Sequence, residues 1–364
     1  MWLLDIVAIG LVADIMPLID ENRTLVNYGL LVLSKTRRLG LNKLAEVANI
    51  DMDNADSFTI GYQIAPRINA AGRLSHGREA FKLLTTDNES EAEDLAWQLN
   101  EINGLRRKVT DEALVVAKEQ AEQQKDNPML FVFGEGWQPG VVGLIAGRIC
   151  EAYHKPTLAM TTVNDNVVGS GRSIPGFNVT DSLYAGQEYL ARFGGHPQAC
   201  GFTVADPDNR EPFQEKVLQY AVDKLKEADL TPLVEIEAQL TLSEADLRVA
   251  KQLQKFRPFG QGNPRPQFLI KGVQITALDF MGDSGKHLRL MIKEANRPIV
   301  RKLIGFNIGR TWGEMLRVGD LIDVIVEMGV NVWKGRESVE LKIVDLRTVK
   351  ADEKIKEAAT GPSY

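Results

Sequence analysis

Gly169-Ser170-Gly171-Arg172-Ser173 and, further along, Phe193-Gly194-Gly195-His196 are the two stretches on which the reading of this chain turns. Glycines let backbone N–H groups approach an anion closely, while a guanidinium and an imidazole bring charge and directed donors to the same spot. Together these are the groups that recognition of a phosphate ester requires. Arg172 and His196 are 24 residues apart. That spacing suits a strand carrying the arginine, a helix over 178–192 and a return loop carrying the histidine, so that both segments meet at one edge of a sheet.

Working outward, 129–133 is a short buried-type strand, followed by helix 141–153, strands 157–161 and 167–171, helix 179–193, strand 201–205 and helix 211–228. This alternation predicts a mixed α/β domain over 127–230, bounded by Asn127-Pro128 and Thr231-Pro232. Upstream, 25–48 and 90–124 carry helical periodicity and form a connector over 25–126. Between them 61–73, with Pro66 and two arginines six residues apart, breaks the pattern and reads as a loop. Downstream the texture is β-rich, with strands expected at 234–242, 267–280, 287–292, 300–306, 321–330 and 339–346 and one helix near 243–254. That set fits a small closed barrel over 231–349, followed by a flexible polar tail at 350–364.

The run 3–19 is apolar enough to suggest a membrane or signal segment, yet it contains Asp5 and Asp14 and lacks a basic leader. It reads instead as a buried parallel strand and the loop after it, the remnant (1–24) of a parallel-sheet lobe. A parallel strand cannot remain stable without neighbours, and none stands upstream of this one, so the sequence is expected to be part of a longer protein.

Of the 364 residues 44% are hydrophobic and 25% charged, which reads as soluble and globular; the length predicts two or three domains, and two isolated cysteines without a leader fit a cytoplasmic α/β multidomain chain with no membrane span. A net charge of −6 excludes binding to nucleic acid through a generally basic surface, so any such site must be local. Cys150 and Cys200 have no C-x-x-C partner and read as buried apolar thiols.

The blocks Gly10-Leu11-Val12-Ala13-Asp14, APRINAAGR at 65–73, GWQPGVVGLIAGR at 136–148, GSGRS at 169–173, FGGH at 193–196 and PFGQGNPRPQF at 258–268 occur in that order. In this the chain resembles the RecJ-type single-strand-specific DNA exonucleases of the DHH phosphoesterase superfamily, collinearly over nearly its entire length. The resemblance implies a remnant of the DHH lobe, a helical connector, a DHH-associated substrate-binding domain and an oligonucleotide-binding (OB) barrel. It also implies 5′ to 3′ hydrolysis of single-stranded DNA with Mn2+ or Mg2+, in repair and recombination. A single-strand-binding protein would be a further partner, and the chain itself a monomer.

Residue by residue, the resemblance makes Asp14 a metal ligand and catalytic residue. Taken alone, an aspartate in this place is more often a helix cap or surface acid than a metal ligand. Arg67, Asn69 and Arg73 match the segment that contacts phosphate near the scissile bond; otherwise they are solvated groups of a capping loop. Trp137 is placed to stack a base or simply to pack. Ser170, Arg172 and Ser173, with Gly194 and Gly195, match the substrate pocket, and His196 matches a phosphate binder and transition-state stabiliser. Trp333 and Lys334, between two strands, suit stacking and charge on a single strand, or a partly buried hairpin tip.

The rest of the family's metal site has no counterpart. Only Asp5 precedes Asp14, and His76, His154, His196 and His287 include no adjacent pair. Asp51 and Asp53 lie downstream in a polar loop and are no substitute. Two other readings therefore stand beside the nuclease: a non-catalytic single-stranded nucleic-acid-binding subunit, and a DHH-type oligonucleotide phosphodiesterase, against which the barrel argues.

Overall fold

A computed structural model describes residues 3–74, 77–227, 230–282, 285–294 and 297–349. The expected tail at 350–364 and His76 lie outside these. The chain divides into two compact units, one of Met1–Ala13 with Gly29–Leu233, the other of Asp14–Tyr28 with Val234–Tyr364.

The N-terminal apolar run is a helix, α1 (Leu4–Ala13), and not the expected strand. Short apolar runs do not declare their period, and what decides here is the face made by Asp5, Ala8 and Ile9, all buried at helical spacing. Helix α2 (Asp20–Leu33) follows, and α1 crosses it at Gly29, where a Cβ would sit 2.4 Å from the Ala8 Cβ. Helix α3 (Leu39–Ala48) comes next, and Asp5 ties α1 to the segment before it. The Asp5 carboxylate, 2% exposed, accepts from Arg38 Nε at 3.0 Å and Thr36 Oγ1 at 3.1 Å. Removing the buried carboxylate takes from Arg38 its Asp5 charge partner. Asp5→Ala is therefore expected to cost about 3 kcal/mol and to lower the melting temperature by roughly 10 °C. An unchanged thermal unfolding curve would show that the pair is not structural.

The 61–73 segment is also helical, correcting the expected loop. A π-helical turn (Thr59–Ile64) runs into α4 (Ala65–Leu74). The Ala65 N–H reaches the Ile60 carbonyl, five residues back, and Pro66 then occupies the second helical position, where a missing N–H costs nothing. Helices α5 (Arg78–Thr85) and α6 (Glu89–Gln123) complete the helical part; α6 is capped by Asn88, whose side chain accepts from Glu91 N–H.

Five strands then form one sheet: β1 (Leu130–Phe133), β2 (Thr157–Val163), β3 (Asn166–Arg172), β4 (Leu190–His196) and β5 (Ala199–Val204), in the order β1-β2-β3-β5-β4. Strands β1 and β2 are parallel and the other pairs antiparallel. Helix α7 (Pro139–Tyr153) connects the parallel pair and, with α6, buries Leu130, Val132 and Ala159 on one face. Helices α8 (Val179–Ala185) and α9 (Arg210–Leu225) supply residues such as Leu183, Phe213 and Val217 to the core on the other face. The expected helix over 178–192 stops at Ala185, and FGGH lies on edge strand β4 rather than in a return loop. Gly186 sits at the helix end, and a Cβ there would be 2.9 Å from the Phe213 ring, so the chain turns where α9 packs.

The second unit contains β6 (Ala238–Gln239), α10 (Leu247–Leu253), β7 (Gln267–Met281), β8 (His287–Lys293), β9 (Val300–Gly305), a short α11 (Gly309–Trp312), β10 (Leu321–Trp333) and β11 (Arg336–Thr348). Strands β7-β8-β9-β11-β10 close through a β10–β7 pairing into a five-stranded barrel. Its interior holds Ile270, Val273, Leu290, Leu303, Val324 and Leu341. The expected strand at 234–242 shrinks to two residues, both exposed, because the barrel closes without it. Within this unit the PFGQG turn holds the 14–28 segment: Leu18 N–H donates to the Gln261 carbonyl at 2.6 Å, and Gly260 and Gly262 lie against Leu18 and Pro17.

Candidate functional site

The strand registers align the two signature stretches. Arg172 and His196 both pair with Ala199, which places the three in one row across β3, β5 and β4. The next row toward the strand interior that points to the same face is Ser170, Gly201 and Gly194, and the one after it Val168, Thr203 and Arg192. This is the face that α7 covers over β2 and β3. Beyond the helix, over β5 and β4, Gly201, Gly194, Arg192 and His196 are exposed.

The glycines divide by what they face. An added Cβ on Gly171 or Gly195 would run into the other side: 2.5 Å from the Cys200 Sγ for the former, 2.4 Å from the Ala199 carbonyl for the latter. On the open face, a Cβ on Gly194 would meet nothing within 4 Å and one on Gly201 only the Gly169 carbonyl at 3.9 Å. Packing explains the first pair. The second pair leaves a bare backbone floor to which a ligand can come close.

Ser170 and Arg172 are held in place. Ser170 Oγ donates to the Cys200 carbonyl at 3.1 Å and accepts from Arg172 Nη1, which also donates to the Gly171 carbonyl at 2.7 Å. On α7, Gly143 makes room for both: a Cβ there would be 3.1 Å from Arg172 Nη2 and from Ser170 Oγ. Ser173 lies past the end of β3, its hydroxyl donating to the Phe177 carbonyl at 2.6 Å. Burial pushes the Cys200 thiol up to about 12 and the Cys150 thiol up to about 11, so neither is a nucleophile.

Helix α4 brings its arginines to the same unit in two directions. Asn69 and Arg73, four residues apart, share a face, whereas Arg67 points to α6 and donates through Nε to Asn100 Oδ1 at 3.0 Å. Arg73 Nη1 donates to the Gly140 carbonyl at 2.9 Å, and a Cβ on Gly140 would be 2.0 Å from the Arg73 carbonyl, so α4 ends against the start of α7. Trp137, ahead of that start, lies on Gly134 as a partly buried ring packed against the core.

Burial lowers the pKa of Arg73, and the charge of Arg172 lowers it further. Arg106 on α6 is lowered by burial and then by Arg73, Arg107 and Arg148, with Asp111 opposing. Arg67 is lowered by burial and then by Arg107. Six arginines from α4, α6, α7 and β3 thus form a continuous chain of mutual repulsion. Among the described residues none of the six forms an ion pair. Arg106 Nε and its neighbour Asn103 Oδ1, on a residue 4% exposed, are buried without hydrogen-bond partners. Such an arrangement costs energy until a polyanion joins it. Sequence reasoning missed Arg106, Arg107, Arg148 and Arg192; the one available signal was the basic triplet Arg106-Arg107-Lys108 inside an otherwise acidic helix.

The metal expectation fares differently. Asp14 is an exposed carboxylate in the turn after α1, and Asp5 is committed to Arg38 and Thr36. Among the described residues no group of three or more His, Cys, Asp or Glu is placed to hold a metal ion. The residues present do not fit a catalytic metal cluster.

In the barrel unit, Trp333 at the β10–β11 hairpin is 70% exposed, with Lys334 Nζ 5.9 Å from its ring centre. Phe306, also exposed, has His287 edge-on at 5.4 Å and Lys342 Nζ 5.9 Å away. Exposed aromatics flanked by cations are the surface on which unpaired bases stack.

An α/β sheet with a glycine-floored row, followed in the chain by a closed five-stranded barrel, is the domain pair of known families: residues 126–223 match the DHHA1 domain and residues 236–345 the RecJ OB domain. The chain belongs to the RecJ family. It is 33% identical over 346 residues to the single-stranded-DNA-specific exonuclease RecJ of Bacillus subtilis, covering 94% of this chain and 44% of that one. Against the RecJ of Escherichia coli it is 31% identical over 355 residues, 94% of this chain and 60% of the other. The crystal structure of RecJ in complex with Mg2+ from Thermus thermophilus superposes with a TM-score of 0.82 at 28% identity, over 96% of this chain and 53% of that one. A Mn2+ complex of RecJ from the same organism gives 0.83 at 28% identity, over 96% and 50%. The chain thus spans about half the length of the relatives it matches. Among the described residues no helix is long and apolar enough to cross a membrane.

Proposed function

We propose that this chain is the substrate-holding part of a RecJ-like exonuclease that removes nucleotides 5′ to 3′ from single-stranded DNA. The observation that carries this is the unpaired arginine chain from Arg67 through Arg107, Arg106 and Arg73 to Arg172, next to the row that holds His196. Arginine suits phosphate because its planar fork donates two parallel hydrogen bonds. In this reading Arg73, Ser170, Arg172 and Ser173 hold backbone phosphate, with Arg67 and Asn69 on α4 beside them. Gly194 brings the β4 backbone close, Gly195 lets that strand pack on its other side, and His196 binds the phosphate under attack and steadies its charge as that charge grows. None of these contacts reads a base edge, so the phosphate grip is independent of sequence.

Hydrolysis needs divalent metal to activate water and stabilise both oxygens of the displacement, and Mn2+ or Mg2+ is the metal of this reading. Asp14 is one ligand at most. The absence of a metal-holding group among the described residues favours a second reading, in which the chain by itself binds single strands without cutting them.

Comparing a single-stranded oligonucleotide with a blunt duplex of the same sequence, by fluorescence anisotropy at fixed salt, tests the shared core of both readings. The single strand is expected to bind at least tenfold more tightly. Equal affinity for the two would remove single-strand recognition from this chain.

A further inference from the structure

Successive same-face rows of a strand lie about 6.7 Å apart. From the Arg172 and His196 row, one step leads to the bare floor of Gly201 and Gly194, and a second to Val168, Thr203 and Arg192. At that second step the sheet opens into a cleft of about 520 Å³, lined by Val142, Val163, Val168, Gly201, Thr203 and Arg192 among others, none of them acidic. The volume is that of a small-molecule site, apolar with a few directed polar groups. Arg192 Nε donates to Thr203 Oγ1 at 3.0 Å, which orients the guanidinium. Among the described residues its Nη1 and Nη2 meet no acceptor.

The order of these rows follows the order of the parts of a nucleotide. We propose that the cleft is a nucleobase subsite that favours guanine: with a phosphate on the Arg172 and His196 row, the sugar crosses the Gly201–Gly194 floor and the base enters against Val142, Val163 and Val168, its edge facing Arg192. Two parallel N–H donors match the adjacent O6 and N7 acceptors of guanine better than the edge of any other base. Arg192 thereby adds a base preference to a phosphate grip that has none. This rests on the reading of the Arg172 and His196 row as a phosphate site.

Equilibrium binding of dGMP, dCMP and deoxyribose 5-phosphate to the 364-residue chain tests it. Expected is binding of dGMP at least tenfold tighter than deoxyribose 5-phosphate, with dCMP between them. Arg192→Ala, on an exposed edge strand, should bring dGMP down to dCMP and leave deoxyribose 5-phosphate unchanged. Gly201→Val should weaken all three while sparing inorganic phosphate. If the base-free sugar phosphate binds as tightly as the nucleotides, or if Arg192→Ala weakens all three alike, the base subsite is wrong and the phosphate row stands. If no nucleotide and no sugar phosphate binds, the phosphate row falls and the subsite with it.

Discussion

Incubated with Mn2+ and a 5′-phosphorylated single strand, the 364-residue chain is expected to retain the strand and leave it at full length. The groups proposed to hold phosphate are pre-positioned: Ser170 and Arg172 are locked by hydrogen bonds to each other and to the sheet, and Arg73 is fixed against α7. What is missing among the described residues is a group of carboxylates and imidazoles to hold the metal. Without it, nothing lowers the pKa of the attacking water or neutralises charge on the leaving oxygen, and such terms supply most of the acceleration of phosphodiester cleavage. Gel electrophoresis of an end-labelled strand reads the outcome. Mn2+-dependent release of mononucleotides that is abolished by a chelator would overturn the expectation.

Replacing Arg73, Arg106 and Arg172 together by methionine should weaken single-strand binding by roughly a thousandfold, about 1.4 kcal/mol for each arginine. Each loss should also reduce the dependence of log K on log salt by about 0.7, the value for a single-strand phosphate contact. Stability should move the other way or not at all. These arginines raise one another's electrostatic energy in the free protein, and methionine keeps the apolar stem packing while removing the repulsion. Binding titrations at several salt concentrations and a melting curve of the Arg106→Met variant check both signs. A variant that binds normally but melts early would make the cluster a structural feature and not a phosphate track.

Much of the fold was legible in the sequence. The strands at 130–133, 157–163 and 166–172 were marked by short β-rich runs between turn residues, and the barrel strands β7 to β11 by the same signal over longer runs. Failures fell where two periods compete. LDIVAIGLVA reads as strand or helix by composition, and only its packing through Asp5, Ala8 and Ile9 decides for helix. The 61–73 segment looked broken by Pro66, but a π-type turn absorbs the proline and the helix continues. At 178–192 the apolar spacing continues past Ala185, and contact with Phe213 on α9 ends the helix first.

The sequence by itself determined the chemical inventory: which glycines, arginines, serines and histidine stand in GSGRS, FGGH and APRINAAGR, in what order, and that no Asp-His-His accompanies them. That follows from local rules, since spacing and residue type dictate donors, acceptors and chain freedom. Only the tertiary structure decided which of those residues meet. Register against Ala199 puts Arg172 and His196 in one row and adds Arg192 two rows away, and packing of α4, α6 and α7 adds Arg106, Arg107 and Arg148. An arginine on a helix carries no local sign of whether it faces water or five others, because that depends on contacts between residues far apart in the chain, which no window of neighbouring residues contains.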